Sequence, residues 1–514
     1  MVQFHRDHPQ DRPRGDIDPV FPSAGRLARG GARVLDPVTA TRLPDQVIRP
    51  AVYAGDQLLV AAGNPVARQL VQAAAADLGL ATVPVETAGP SGTALLRFVP
   101  QSAATVDAWQ VRQRAAALAD GVEQREALRD IQLNHLLFVG RQNVPLPYDS
   151  PQPYDSPQPY GEEGLYADLA YAGPRPVALT IAPPARQSVP KGHRRPVVAV
   201  IDTGCGPHPW LDKIVTHRTL QRRPNRPAPE EINPLGEYFG DISGPLDGRR
   251  DPLAGHGTFI CGLIHMACPD ADILSLPIVR SNGFIAEHDL ILALEELAIL
   301  MDQGQRIDVV SISMGYYHES AKDATDWDPL VLAPIRELSR RGVVVVAAAG
   351  NDGTTREMYP AAFAGQQWAK PTCPQDEPSL LVSTGALNPD GRSVALFSNG
   401  GPWVIAWQRG AAVVSTMPTT LQNSLQSAVR TLDPSGQPRS TVDGDSFRSG
   451  FAVASGTSYA TPVMAGRIAA ALLHLDRSGI RRLGDKSPKG QAALRKTVPI
   501  VLKWAPYPFL SPDA

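Results

Sequence analysis

Cysteine is scarce. The chain has four in 514 residues, Cys205, Cys261, Cys268 and Cys373, with no C-x-x-C pair among them. That excludes a disulfide framework as the source of stability. Neither sign of charge is in excess: 49 Lys and Arg stand against 51 Asp and Glu, giving −2 and a pI near 6.6. A balance of this kind argues against a dedicated nucleic-acid or anionic-membrane binder. No apolar run approaches the 18 or so residues of an ordinary membrane span. The clearest run, Val343 to Gly350, has the length of a strand. The first residues, Met1 to His8, lead into Pro and Arg rather than an apolar core, so no signal peptide is read there. The expectation is a soluble cytoplasmic protein that contacts neither nucleic acid nor membrane.

Proline is abundant: 50 residues, roughly twice average usage. Hydrophobic residues make up 43% of the chain and charged residues 19%, enough apolar material for a sizeable core. The prolines divide the chain. Residues 1–50 hold seven of them and little periodicity, and read as a flexible lead-in. Between 142 and 190 there are eleven, including the tandem hexapeptide PYDSPQ-PYDSPQ-PY from Pro147 to Tyr160. This marks 142–193 as an extended, polyproline-like linker; composition alone also allows a partner-docking motif.

From 51 to 141 the pattern is that of a small α+β domain. Gln57 to Ala62 reads as a strand, Asn64-Pro65 as a cap followed by a first-turn proline, and Val66 to Leu80 as a helix. Strands follow at Thr82 to Glu86 and Thr93 to Val99, around the turn signal Gly89-Pro90-Ser91-Gly92. A helix from about Ala104 to Leu118 and a strand from Leu133 to Val139 complete a βαββαβ order, the ferredoxin-like arrangement.

From 194 to 514 the chain alternates short apolar runs with helical patterns. The runs are Pro196 to Ile201, Asp272 to Ile278, Ile307 to Ser313, Val343 to Ala348 and Leu380 to Thr384; helices are expected at Ala286 to Met301 and Pro329 to Arg341. Runs without alternation suit strands buried on both faces, and the alternation implies a doubly wound, mostly parallel α/β sheet. Three segments bring reactive side chains to the ends of these elements. Val198 to Gly204 delivers Asp202 at the carboxyl end of a strand, where ligands of open α/β sheets bind. Gly255-His256-Gly257-Thr258 opens a helix. Gly456 to Pro462 opens another, with Ser458 in its first turn and Pro462 tolerated on the expectation that it also lies there. Singly, a strand-end Asp is often a turn residue and a serine at a helix start is often a cap.

Together they resemble the subtilisin-type (subtilase) serine peptidases over about 194–475. The signatures come in the family order Asp, His, Ser: Asp202-Thr203-Gly204 with His208-Pro209 and Leu211, His256-Gly257-Thr258 with Gly262, and Gly456-Thr457-Ser458 with Ala460-Thr461-Pro462. The resemblance implies an endopeptidase in which Ser458 attacks a peptide carbonyl, His256 carries the proton and Asp202 orients the imidazole, with Asn351 and the Ser458 N–H binding the oxyanion. It implies that Ser313, Met314 and Gly315 pair with substrate backbone, and that Ala348, Ala349 and Gly350 form a pocket wall. Tyr359-Pro360-Ala361 and Phe397 to Gly400 resemble further landmarks of the family. The implied partner is a polypeptide substrate. No cofactor or catalytic metal is required; family members often carry structural calcium, but no ligand-spaced cluster here compels a site.

The βαββαβ unit is similar in pattern to inhibitor-type propeptides of that family, which implies a zymogen whose N-terminal domain contacts the catalytic domain in cis. An unrelated accessory domain has the same pattern, and a subtilase fold serving as a regulatory or scaffold protein is the alternative to an enzyme. Three departures stand out: Ala406 to Gly410 replaces the usual Ala-Pro-Gly, residues 417–454 are inserted before the serine segment, and Tyr459 stands where smaller side chains are common. Cys205 and Cys261 lie close in sequence to Asp202 and His256, so Cys261 is either a small buried hydrophobe or a thiol open to oxidants and mercury. Asp352 is a candidate for favouring basic P1 residues. A zinc site from Cys261, His265 and Cys268 lacks the spacing and a fourth ligand.

Overall fold

The computed structural model describes residues 31–43, 46–84, 92–101, 103–138, 174–220, 235–243, 246–280, 283–320, 329–365, 380–423, 427 and 429–503, with residues 18, 19, 21 and 27. Most of the lead-in, the PYDSPQ repeat, the turn at 89–91 and Cys373 lie outside the described residues.

The N-terminal unit is an antiparallel sheet. Its strands are β1 (Ala32–Leu35), β2 (Ala51–Ala61), β3 (Leu80–Pro84), β4 (Thr93–Pro100) and β5 (Ile131–Phe138). Helix α1 (Pro65–Asp77) follows β2, and α2 (Ala108–Leu118) and α3 (Val122–Ala127) precede β5. The four strands of the βαββαβ unit are ordered β5-β2-β4-β3, so the first and third are the central pair, as in a split βαβ sheet. Asn64 caps α1, its Oδ1 accepting the Ala67 N–H at 3.1 Å, with Pro65 in the first turn.

Strand alternation gives this sheet two apolar faces. Leu58, Val60, Leu96 and Phe98 pack on Leu70, Val71, Ala74, Trp109 and Val111 of its own helices. Leu59, Leu95 and Leu137 instead share a core with Leu290, Ile291 and Leu294 of the C-terminal unit. The edge is shared as well: β5 pairs antiparallel with β10 (Phe284–Ala286), Leu137 opposite Ile285.

The C-terminal unit is built on seven parallel strands in the order β14-β13-β12-β11-β7-β9-β8. They are β7 (Val197–Asp202), β8 (Val215–His217), β9 (Asp272–Pro277), β11 (Val309–Ile312), β12 (Val344–Ala348), β13 (Leu381–Leu387) and β14 (Ala406–Arg409). The central strands are buried on both faces, which is why they read as unbroken apolar runs. Helix α4 (Leu235–Phe239) precedes α5 (His256–Ala267), and α6 (Glu287–Asp302), α7 (Pro329–Arg340), α8 (Thr457–Arg477) and α9 (Pro488–Lys503) follow. The face carrying Ile260, Ile264, Met464, Ile468 and Leu472 packs on Val198, Val200, Val344 and Val346. A small antiparallel sheet of β6 (Arg175–Pro176), β15 (Val413–Thr416) and β18 (Phe451–Ala454) lies beside α5.

The inserted segment has a buried base and an exposed end. Met417, Leu421 and Phe447 are buried with Phe259, Leu263 and Tyr459, whereas the hairpin β16 (Arg430–Leu432) and β17 (Pro438–Ser440) is exposed. No described helix is long and apolar enough to cross a membrane.

Candidate active site

Parallel strands carry their connecting loops to one edge, and Asp202 is the last residue of β7 at that edge. The start of α5, reached after β8 and α4, brings His256 to it: His256 Nδ1 lies 2.7 Å from Asp202 Oδ1, and both residues are buried. The same Oδ1 accepts the Thr203 N–H at 2.8 Å, while Asp202 Oδ2 is buried without a hydrogen-bond partner among the described residues. The approach of helix start to strand end depends on Gly257. A Cβ there would lie far inside van der Waals contact distance of Gly204 O. Hydroxyls hold α5 from the other side: Ser415 Oγ donates to Phe259 O at 2.7 Å and Thr416 Oγ1 to Thr258 O at 2.8 Å.

Ser458 is the second residue of α8 rather than its cap, which is Gly456. Its hydroxyl donates to Ser313 O at 3.3 Å and makes no hydrogen bond to His256 in this structure. The expected place of Pro462 needs correction: it is the sixth residue of α8, beyond the first turn. A proline there cannot donate to the carbonyl four residues back, that of Ser458. Ser313 Oγ supplies the missing donor, 2.9 Å from Ser458 O.

Asn351 follows β12 and is oriented from the same helix. Its Oδ1 accepts the Thr457 N–H at 2.7 Å and the Thr457 hydroxyl at 2.9 Å, which fixes the amide beside Ser458. Gly350 makes the turn with φ of +104°, and a side chain there would collide with Asn399 and Met358. Asn399 braces the loop: Nδ2 donates to Ala349 O at 2.9 Å, and Oδ1 accepts the Asp352 N–H at 2.9 Å. Asp352 itself accepts the Tyr317 hydroxyl at 2.6 Å, so its carboxylate is engaged within the fold.

Ser313, Met314 and Gly315 continue from β11, with Tyr316 paired to Tyr359 just beyond. The Met314 side chain is in the core. Ala348 ends β12, and Ala349 and Gly350 lead to Asn351. Tyr459 is buried with its ring centroid 5.4 Å from that of His256 and 4.5 Å from that of Phe259. Cys205, Cys261 and Cys268 are buried free thiols. The neighbouring Cys205 thiol, together with burial, holds Cys261 well above the usual thiol range, which makes it a poor nucleophile.

Among the described residues, the one cluster of metal-ligating side chains is His135, His318 and Glu319, away from these groups. Two imidazoles do not suit calcium, which takes oxygen ligands.

One acid not foreseen from the sequence lies behind the Asp–His pair. Glu237 of α4 is wholly buried; its Oε1 accepts the Thr203 hydroxyl at 2.5 Å and the Gly255 N–H at 3.1 Å, and its Oε2 accepts the Thr258 hydroxyl at 2.5 Å. Nothing in Leu235-Gly236-Glu237 announces it.

A parallel α/β sheet with an Asp–His pair and a helix-borne serine at its carboxyl edge has the subtilisin architecture. The chain belongs to the subtilase family (peptidase S8), which matches residues 193–482, more than half of the chain. It is 27% identical over 291 residues to the serine protease AprX of Bacillus subtilis, covering 54% of this chain and 56% of AprX. It is 22% identical over 318 residues to the major intracellular serine protease of the same organism, covering 59% of this chain and 76% of that protein. Among solved structures, fervidolysin from Fervidobacterium pennivorans aligns with a TM-score of 0.45 at 18% identity, covering 84% of this chain and 56% of fervidolysin. The chain thus spans little more than half the length of AprX.

Proposed function

We propose that the protein is a serine endopeptidase acting on polypeptides through an acyl-enzyme. The observation that carries this reading is the buried His256–Asp202 contact of 2.7 Å beside a serine at the start of α8. Asp202 accepts from Nδ1, so Nε2 is left basic and His256 takes the Ser458 proton as Oγ attacks. Oγ must first leave Ser313 O, a rearrangement that substrate binding drives; catalytic hydrogen bonds commonly tighten only in the complex. The Asn351 Nδ2 and the Ser458 N–H receive the oxyanion, and the N-terminus of α8 favours negative charge there. The backbone of Ser313, Met314 and Gly315 aligns the substrate strand, and Ala348, Ala349 and Gly350 wall the P1 pocket. These steps use only the protein's own groups, without cofactor or catalytic metal.

The N-terminal sheet acts in this reading as an inhibitor in cis, and the protein is a zymogen. The support is its βαββαβ topology and the pairing of β5 with β10.

The test is a fluorophosphonate probe on the native, unblocked protein. Labelling that disappears in Ser458→Ala is expected; no labelling of the wild type sinks the reading and favours a regulatory or scaffold protein on a subtilase fold.

A further inference from the structure

Glu237 is wholly buried, yet it belongs to none of the proposed catalytic steps. Its partners are the immediate neighbours of the Asp–His pair. Thr203 follows Asp202, Gly255 precedes His256, and Thr258 lies in the first turn of α5. Both threonine hydroxyls also accept backbone protons across the gap between β7 and α5. Thr203 Oγ1 takes the Gly257 N–H at 2.9 Å, and Thr258 Oγ1 takes the Gly206 N–H at 2.7 Å. One carboxylate therefore closes two stitches between the strand end that carries Asp202 and the helix start that carries His256.

We propose that Glu237 is a positioning residue for the Asp202–His256 pair, holding strand end and helix start in register through Thr203 and Thr258 and placing a carboxylate directly behind them. This rests on the peptidase reading above.

The proton count shows how the group communicates with the pair. An ionised Glu237 can only accept, so both threonine hydroxyls point at it. Asp202 Oδ1 then keeps the Thr203 N–H and His256 Nδ1 as donors. A proton on Glu237 Oε1 would be donated to Thr203 Oγ1, and the freed Thr203 hydroxyl proton could turn to Asp202 Oδ1, 3.2 Å away. Burial is the main influence raising Glu237, and Thr203 and Thr258 oppose it; with Asp202 raising it further and His256 lowering it, the carboxyl sits at about 7. Among the described residues, Arg250 and the Cys261 thiol also feel its charge.

The test uses the full chain and compares wild type with Glu237→Gln. Gln fills the same space without the charge. With a peptide substrate, KM should stay within about twofold and kcat should fall about tenfold, because the reacting groups lose alignment rather than substrate contacts. Loss of a nearby anion makes the imidazolium less favourable, so the acidic limb of the kcat/KM profile should move to lower pH. The same downward shift should appear in the His256 titration followed by NMR in a Ser458→Ala background, a readout that does not depend on turnover. An unmoved His256 titration overturns the proposal, whether or not the chain hydrolyses peptides. Absence of fluorophosphonate labelling in the wild type overturns only the peptidase reading. Should Glu237→Gln fail to fold, Thr203→Ser and Thr203→Ala interrogate the same link. Ser should keep the wild-type His256 titration and Ala should lower it, and identical titrations in the two overturn the proposal.

Discussion

His135 Nδ1 lies 2.6 Å from Glu287 Oε2, joining the last strand of the N-terminal sheet to the first residue of α6. The other ring nitrogen, Nε2, is 2.8 Å from Glu319 Oε2, and Arg112 Nη1 stands 3.2 Å from Glu319 Oε1. The imidazole stacks on Tyr316 with centroids 4.7 Å apart. His135, Glu287, Tyr316 and Glu319 are buried, and Arg112 is half-buried. Burial alone would lower the His135 pKa, but Glu287 and then Glu319 outweigh it and hold the ring cationic up to about 10. His318, stripped of water alongside, is pushed down to about 4 and is neutral at pH 7.

This geometry makes the attachment of the N-terminal sheet pH-dependent with a definite sign. The His135 pKa rises on folding from an ordinary 6.5 to about 10, so its contribution is complete below about 6.5 and is lost as pH climbs towards 10. Relative to the intrinsic base-catalysed rate, hydrogen-exchange protection in β5 and β10 should fall between pH 7 and pH 10 in Ser458→Ala protein. His135→Gln leaves buried Glu287 without its cation and Glu319 with Arg112 alone, which should cost about 3–5 kcal/mol in denaturant titrations. The variant should also lose most of the wild-type pH dependence. Equal pH dependence in the two proteins would contradict the assignment.

If the N-terminal sheet is an inhibitor released by cutting, the cut belongs in the proline-rich stretch between about 142 and 193. Intact-mass analysis of purified wild type should show cleavage there, and Ser458→Ala should remain full length. A wild type that stays uncut yet hydrolyses peptides at full rate refutes the zymogen part of the proposal and leaves the peptidase part standing.

Asn351 is anchored by its oxygen, and in the proposed mechanism its nitrogen is the oxyanion donor. Asn351→Ala should lower kcat about 100–1,000-fold with little change in KM, the pattern of a donor used in the transition state. Thr457→Val keeps the amide but removes the hydroxyl that orients it, and should lose less than Asn351→Ala. A rise in KM at unchanged kcat would place Asn351 in ground-state binding.

What the sequence made legible were features written in adjacent residues. Buried strands appear as runs such as Val343 to Ala348, the α1 cap appears as Asn64-Pro65, and each reactive group of the Asp, His and Ser segments sits inside its own short motif. The links between units were not legible, because their partners are remote along the chain. His135 meets Glu287 and Glu319 across 152 and 184 residues, and β5 carries no mark showing that its free edge takes β10. Glu237 was missed for a related reason. A buried acid is identified by what surrounds it, and its surroundings come from β7 and α5 rather than from α4.

The Ser313–Ser458–Pro462 arrangement gives the last prediction. Pro462 leaves the Ser458 carbonyl without its helical donor, and Ser313 Oγ fills the place at 2.9 Å. Ser313→Ala should therefore strand the buried Ser458 carbonyl and cost about 1–3 kcal/mol. Pro462→Ala restores an N–H that can reach the same oxygen, so the Ser313→Ala/Pro462→Ala double variant should be more stable than the sum of the single changes predicts. Urea denaturation of the four proteins measures the coupling directly, and contacts that share one acceptor couple by about 0.5–3 kcal/mol. Strict additivity would show that the Ser313 hydroxyl does not stand in for the missing helix bond.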